Sequence, residues 1–440
     1  LAPASAGSEK RTWENGSRLH KGPAYDLSLA DSPSSAADDW PSYRHDANRT
    51  GCASSAAPLD LKVRWNKTLP GGRISAPTVA DGKVLVASID AHTVHALSAT
   101  SGEVLWSYVA AGRVDTPPTL WEGRAIFGCR SGWVYCLRAT DGEVIWRFHA
   151  APRERLVVAH GGLESAWPVN GSVLVRNGNA YVAAGRSSFL DDGLMAYCLD
   201  AATGAVLAEG LVAHPQDMPV DMGRNQADDT SVVADLLVSE GDSVYLRHIR
   251  LFGTEGPEVG WGQRVSATAG MLDDSWFNRT VWLVDGRDHG ELLVHDDGGV
   301  YSVRVHKSRG HGQYIEPGTN AYQIWATDRT PLVPRKPGAA SSGSKSWPRP
   351  KKSRWSVATP CRVTAMAVGG ETLLCAGTPD VLDPEEPWAA YEGRRGGMLF
   401  ALKTADGTKT SDLHLAAAPV YDGMAIAGGR LYLSLTDGKV

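Results

Sequence analysis

Ala96-Leu97-Ser98-Ala99-Thr100-Ser101-Gly102-Glu103-Val104-Leu105-Trp106 and Cys136-Leu137-Arg138-Ala139-Thr140-Asp141-Gly142-Glu143-Val144-Ile145-Trp146 are one phrase written twice. Gly102 and Gly142 are 40 residues apart, as are Trp106 and Trp146. Trp65 lies 41 residues before Trp106. A third copy, Cys198-Leu199-Asp200-Ala201-Ala202-Thr203-Gly204-Ala205-Val206-Leu207, lacks the Trp, and a fourth, decayed copy runs from Ala401 to Gly407. Each copy reads as strand, tight turn, strand. The Ser-Gly or Asp-Gly pair supplies the positive φ that such a turn needs. The aliphatic and aromatic residues after it suit a strand.

A second element precedes the first. Ser75-Ala76-Pro77-Thr78-Val79-Ala80-Asp81-Gly82-Lys83-Val84-Leu85 matches Thr116-Pro117-Pro118-Thr119-Leu120-Trp121-Glu122-Gly123-Arg124-Ala125-Ile126. Weaker echoes begin at Ala166 and Ala418. It reads as an inner strand, a turn and a second strand. Together the two elements give four strands per ~40 residues, the content of one blade of a β-propeller. The expected fold is therefore all-β: a propeller of about eight four-stranded blades, with seven as the alternative. Blade starts are expected near residues 75, 116, 166, 231, 267, 291, 358 and 416.

The Ala99-Thr100-Ser101-Gly102 to Trp106 pattern resembles the pyrroloquinoline-quinone (PQQ) type repeat. Trp40-Pro41-Ser42-Tyr43-Arg44-His45-Asp46-Ala47-Asn48-Arg49-Thr50-Gly51 is similar to the lead-in of bacterial BamB-like propellers, as is Gly270 to Thr280. The resemblance covers residues 40–210 and 358–440 and loosens between 211 and 357. It implies either a quinoprotein dehydrogenase or a scaffold of outer-membrane assembly.

The ring needs a closing strand. The sequence ends on Thr436-Asp437-Gly438-Lys439-Val440, in mid-phrase, while Leu61 to Leu69 is a Trp-bearing strand without inner strands of its own. The two are expected to pair, which removes the free edges of the last blade. Residues 40–440 form the propeller on this reading, with loop insertions near 149–165, 211–230 and 305–357. Residues 1–39, rich in Ser, Ala, Asp and Gly, read as a poorly ordered tail or linker. The opening on Leu1 and the ending in mid-phrase suggest part of a longer bacterial protein.

Composition narrows the function. A net charge of −5 over 440 residues argues against a dedicated nucleic-acid binder. No apolar run is long enough for a transmembrane segment. Fifteen Trp against six Phe point to a repeated slot that requires Trp. The six cysteines, Cys52, Cys129, Cys136, Cys198, Cys361 and Cys375, include no adjacent pair and no CxxC. Buried thiols are the expected state. Disulfides are the alternative for an exported chain.

No motif for nucleophilic or phosphate chemistry is present. Asp191, Asp192, Asp273 and Asp274 are paired carboxylates in loops and weak candidates for calcium; turns and salt bridges explain them better. The resemblance implies PQQ held between a Trp and adjacent cysteines, with a calcium ion. The missing pair argues against it, so no cofactor, metal or catalytic residue is expected. Trp65, Gly102, Trp106, Gly142, Trp146 and Gly204 are read as structural. The lead-in residues Arg44, His45, Asp46 and Asn48 are expected to fasten the N-terminal segment to the ring.

The sequence reads best as a non-catalytic binding or scaffolding module, exported to the periplasm or cell surface. It would present a protein partner or polymer with the loops of one face. The alternatives are a PQQ-dependent dehydrogenase and a glycan-binding or carbohydrate-active protein.

Overall fold

A computed structural model describes residues 18–27, 36–159, 161–213, 232–253, 264–267, 282–285, 288–305, 318, 322–329 and 352–440. Among them there is no helix, and, apart from a two-stranded hairpin at Leu156–Ala159 and Gly162–Ser165, eight sheets follow one another in chain order. Sheet 1 shows the rule. Thr78–Ala80, Lys83–Ser88, Thr93–Ser98 and Val104–Val109 pair as an antiparallel meander from the axis outward. The turn after Ala80 is Asp81-Gly82, with both residues at positive φ. The first three strands are buried, while Val104, Leu105 and Val109 of the fourth are exposed.

Sheet 2 begins at Thr119, sheet 3 at Leu174, sheet 6 at Leu292 and sheet 7 at Cys361, and each has the same four strands. Sheet 8 begins at Pro419 and is completed from the front of the chain. Leu435 N donates to Lys439 O at 2.7 Å, which starts a third strand. Lys67 N and Val440 O pair at 3.0 Å, as do Val440 N and Lys67 O, and Leu69 N donates to Gly438 O at 2.9 Å. The expected ring closure is thus present. The expected count of about eight four-stranded blades is corrected. Six blades reach four strands, while sheet 4 (Leu237–Glu240, Ser243–Leu246, Ile249–Phe252) and sheet 5 (Ser266–Ala267, Trp282–Val284, Asp288–Gly290) show three each among the described residues.

The repeat Trp residues join neighbouring blades. Each sits on a fourth strand and reaches the next blade's turn. The indole Nε1 of Trp65 donates to Ala99 O at 3.2 Å, that of Trp106 to Ala139 O at 3.0 Å and that of Trp146 to Ala201 O at 3.2 Å. Trp355 repeats the contact with Thr404 O at 2.8 Å. Beneath each indole lies the turn glycine. A Cβ on Gly102 would come within 2.4 Å of the Trp65 ring, and one on Gly142 within 2.7 Å of Trp106. Both glycines have positive φ, at 74° and 77°, so backbone and neighbour both require Gly there. Trp65 makes this contact from the closing strand, so sheet 8 meets sheet 1 as any blade meets the next.

Two further elements join the ring. Leu19–Lys21 adds a fifth strand outside Val144–His149 of sheet 2, so part of the tail expected over 1–39 has a fixed place. Cys52–Ala53 pairs parallel with Val368 and Gly369 of sheet 7.

Candidate functional site

A propeller's central channel and the loops around its mouth are its usual binding surfaces. Here the channel is filled by the chain itself. Trp40 exchanges both backbone hydrogen bonds with Val79 of sheet 1, and Leu120 N of sheet 2 donates to Pro41 O. The next residues turn sharply, with Arg44, His45, Arg49 and Gly51 all at positive φ. Three of these four are not glycine, so the turn is held by its surroundings.

Those surroundings are two buried arginines. Arg49, fully buried, donates to Tyr43 O at 2.8 Å, Leu237 O of sheet 4 at 3.1 Å and Ser172 O ahead of sheet 3 at 3.3 Å. Arg44 lies 4.0 Å from the centre of the Trp282 ring of sheet 5 and donates to Asp422 Oδ2 of sheet 8 at 2.6 Å and to Leu293 O of sheet 6. Val368 N of sheet 7 donates to Gly51 O. Residues 40–53 therefore touch all eight sheets. Backbone carbonyls and one carboxylate take up charge that would otherwise be costly to bury.

Titration at the plug follows burial. Desolvation pulls Arg49 down to about 10. Burial pushes the Tyr43 hydroxyl well up, helped by Asp422. Burial, then Arg329 and Arg44, pulls His295 down to about 3, so it is neutral and accepts from Arg329 Nη1 at 3.0 Å. For Asp46, burial acts upward, but hydrogen bonds from His45 and Thr50 outweigh it and hold the carboxyl low.

Above the plug, on the side of the loops that lead into each first strand, the channel mouth holds a cavity of about 480 Å³. Tyr43 lines it together with Ser75, Thr116 and Tyr421; Arg73, Arg113 and Asp115 add charge. Asp115 is gripped by Arg113 at 2.8 Å and Arg130 at 2.5 Å, and Arg130 also meets Glu164 at 3.3 Å. Among the described residues Asp115 is the only carboxylate lining the cavity. A paired-carboxylate hydrolase needs two.

Glu164 belongs to a hairpin, Leu156–Ala159 with Gly162–Ser165, set in the insertion expected at 149–165. Arg155 of this hairpin's lead-in meets Asp191 at 2.9 Å, and Arg153 meets Asp192 at 2.5 Å. Arg186 also grips Asp191. Both calcium candidates are thus engaged by arginines, and they tie the hairpin to the loop between the second and third strands of sheet 3. Together these two loops expose Val158 at 81%, Leu163 at 69% and Phe189 at 47%. Across the mouth, the corresponding loop of sheet 7 exposes Trp388 at 56%. The other two candidates, Asp273 and Asp274, lie outside the described residues, as does most of the insertions at 211–230 and 305–357. Among the described residues no group of His, Cys, Asp and Glu could hold a metal ion. All six cysteines are free thiols.

A protein-family model described as outer membrane protein assembly factor BamB matches residues 53–225. The chain is a β-propeller whose residues 53–225 match the PQQ-like repeat family. Solved structures agree on the fold. Quinohemoprotein alcohol dehydrogenase from Comamonas testosteroni is similar with a TM-score of 0.55 at 15% identity, covering 92% of this chain and 77% of that one. Quinohemoprotein alcohol dehydrogenase ADHIIG from Pseudomonas putida HK5 gives 0.51 at 12%, covering 90% and 75%. No curated protein matches. Similarity to quinoprotein propellers raises PQQ as a cofactor, but the residues here do not fit it. The sequence has no adjacent cysteines, and Tyr43, Arg44 and Arg49 occupy the channel beneath the mouth.

Sequence reasoning singled out Arg44 and Asp46 but passed over Arg49, Tyr43 and Asp422. Asp422 lies 378 positions from Arg44 with no motif to join them. The exposed apolar residues of the hairpin had a legible signal, the apolar run Leu156-Val157-Val158-Ala159 within a 62-residue gap between turn glycines.

Proposed function

We propose that this propeller is a non-catalytic binding module that receives a protein partner on its mouth face. The carrying observation is the apolar set Val158, Leu163 and Phe189, exposed yet fastened by the Arg153–Asp192, Arg155–Asp191 and Arg130–Glu164 pairs. Exposed apolar residues held on ordered loops mark interaction surfaces more often than chance exposure does. The filled channel supports the same reading, since a cofactor at the centre would compete with the plug. A periplasmic or cell-surface setting belongs to this proposal, by analogy with the matched assembly-factor family.

A photocrosslinking residue at position 158 tests it. In the source organism's envelope fraction it should capture a discrete partner, while the same residue at Leu207, on an outer blade edge, should not. Equal labelling at both positions would remove the basis of the proposal. The dehydrogenase reading is tested separately by adding PQQ and calcium. Stoichiometric quinone binding with dye reduction would overturn the non-catalytic assignment.

A further inference from the structure

The cavity of about 480 Å³ at the channel mouth takes its walls from sheets 8, 1 and 2 and from the plug. Ile74, Ala76, Ile89, Pro117 and Val420 make those walls apolar. One wall is a short ladder, in which Ser75 N donates to Ala87 O at 2.8 Å and Ile89 N to Arg73 O at 2.9 Å. Its shape is therefore set before anything binds, which lowers the cost of binding.

The polar groups around it are engaged elsewhere. The Tyr43 hydroxyl donates to Asp422 Oδ2 at 3.1 Å. The Tyr421 hydroxyl donates to Glu291 O at 3.1 Å and accepts from Trp282 Nε1 at 2.7 Å. Ser75 Oγ donates to Ala76 O at 2.8 Å and accepts from Ala87 N at 3.0 Å. Arg73 holds Asp90 through Nε at 2.8 Å and Nη2 at 2.9 Å, and Asp115 sits between Arg113 and Arg130. A charged guest would have to break one of these pairs. A neutral aromatic ring needs no such exchange, and it gains contact with two tyrosine rings and the neighbouring guanidinium groups.

We propose that this cavity receives one aromatic side chain of the protein partner, an inference that rests on the mouth-face reading. The cavity and the exposed hairpin form one continuous surface. Arg130 meets Asp115 in the cavity wall at 2.5 Å and Glu164 of the hairpin at 3.3 Å. Glu164 follows Leu163, which pairs in register with Val158. A partner seated on Val158 and Leu163 thus has the cavity at its border. An aromatic anchor in such a pocket, ringed by weaker contacts, is how protein interfaces concentrate affinity.

Isoleucine methyl signals read the cavity directly, with p-cresol as the probe. Those of Ile74 and Ile89 should shift saturably, with a Kd on the order of 1 mM for so small a ligand, while that of Ile324 in sheet 6 stays still. Thr436→Trp, at an exposed position on the cavity rim, should weaken binding about tenfold. Ile89→Ala removes part of the wall and should weaken it as well, with Ile74 as the remaining reporter; melting curves check that both variants fold. No saturable shift, binding that neither variant weakens, or tighter binding of phenylacetate than of p-cresol would overturn the proposal. Photocrosslinking from position 158 separates it from the reading it rests on. If Thr436→Trp leaves that capture unchanged, the partner does not use the cavity, and this inference fails while the mouth-face reading stands. If the unmodified chain captures nothing, the mouth-face reading falls and takes this inference with it, whatever the methyl signals show.

Discussion

Sheets 1 to 3 and sheets 4 to 5 are neighbours in one ring built by different means. In the first group each junction carries a Trp on a glycine turn, at Trp106 over Gly142 and Trp146 over Gly204. In the second, the described residues show no such pair and three strands in each sheet. What holds them is internal. Arg49 binds Leu237 O, Ser239 N donates to Ala47 O, and Arg44 stacks on Trp282. One region is fastened from blade to blade near its periphery; the other is fastened to the axis. Among the described residues, contacts to the central segment stand where the repeat supplies none.

The comparison can be broken most severely at the axis. Asp422→Ala leaves Arg44 buried without its carboxylate and should cost about 3–5 kcal/mol. Urea unfolding should show that loss, with hydrogen exchange rising first in sheets 4 and 5. A uniform rise would mean that the plug does not favour those sheets. Trp146→Ala attacks the other fastening. The side chain is fully buried, so a loss of about 3–5 kcal/mol is expected, with exchange rising first between sheets 2 and 3.

Glycine substitutions sharpen the contrast. Gly102→Ala meets both positive φ and the Trp65 ring and should cost about 2–3 kcal/mol. Gly241→Ala, in the first turn of sheet 4, meets only the backbone penalty, with φ at 54° and open space around it. About 1 kcal/mol is expected there. Equal costs would show that the indole yields and the dock is soft.

A pH series separates a histidine held at the axis from one held at the periphery. His295 stands beside the plug with its pKa pulled down to about 3, and His149 of sheet 2 is pulled down to about 4 by burial, Arg18 and His20. The unfolded chain takes up these protons near 6.5, before the folded chain does. Stability from both groups is complete above that pH and falls as pH drops toward 4 and 3. His295→Gln should flatten the acid limb of the melting-midpoint profile more than His149→Gln. The smallest effect is expected at Asp192→Asn on the exposed hairpin tie, at most about 1 kcal/mol.

The regular blades were legible because their signal is local. Glycine turn, strand and Trp lie within eleven residues, and the same spacing exposed Trp65 as the partner of a distant strand. The start of sheet 6 was legible near residue 291, where the apolar run Leu292-Leu293-Val294 opens its first strand. The plug was legible only in outline. Arg44 could be read as a fastener, but its partners come from sheets 5, 6 and 8, and no spacing along the chain encodes them. The fifth strand at Leu19–Lys21 escaped for the same reason. Three residues of Leu-His-Lys have no pattern until Val144–His149 offers them an edge.

The central segment has one more consequence. Because residues 40–53 meet all eight sheets, they act as an axle for a wheel whose spokes are unequal. An axle that carries left-handed turns at Arg44, His45 and Arg49 cannot be threaded straight through a finished ring. Sheets 4 and 5 therefore cannot separate from the ring without freeing a segment that the other sheets also hold.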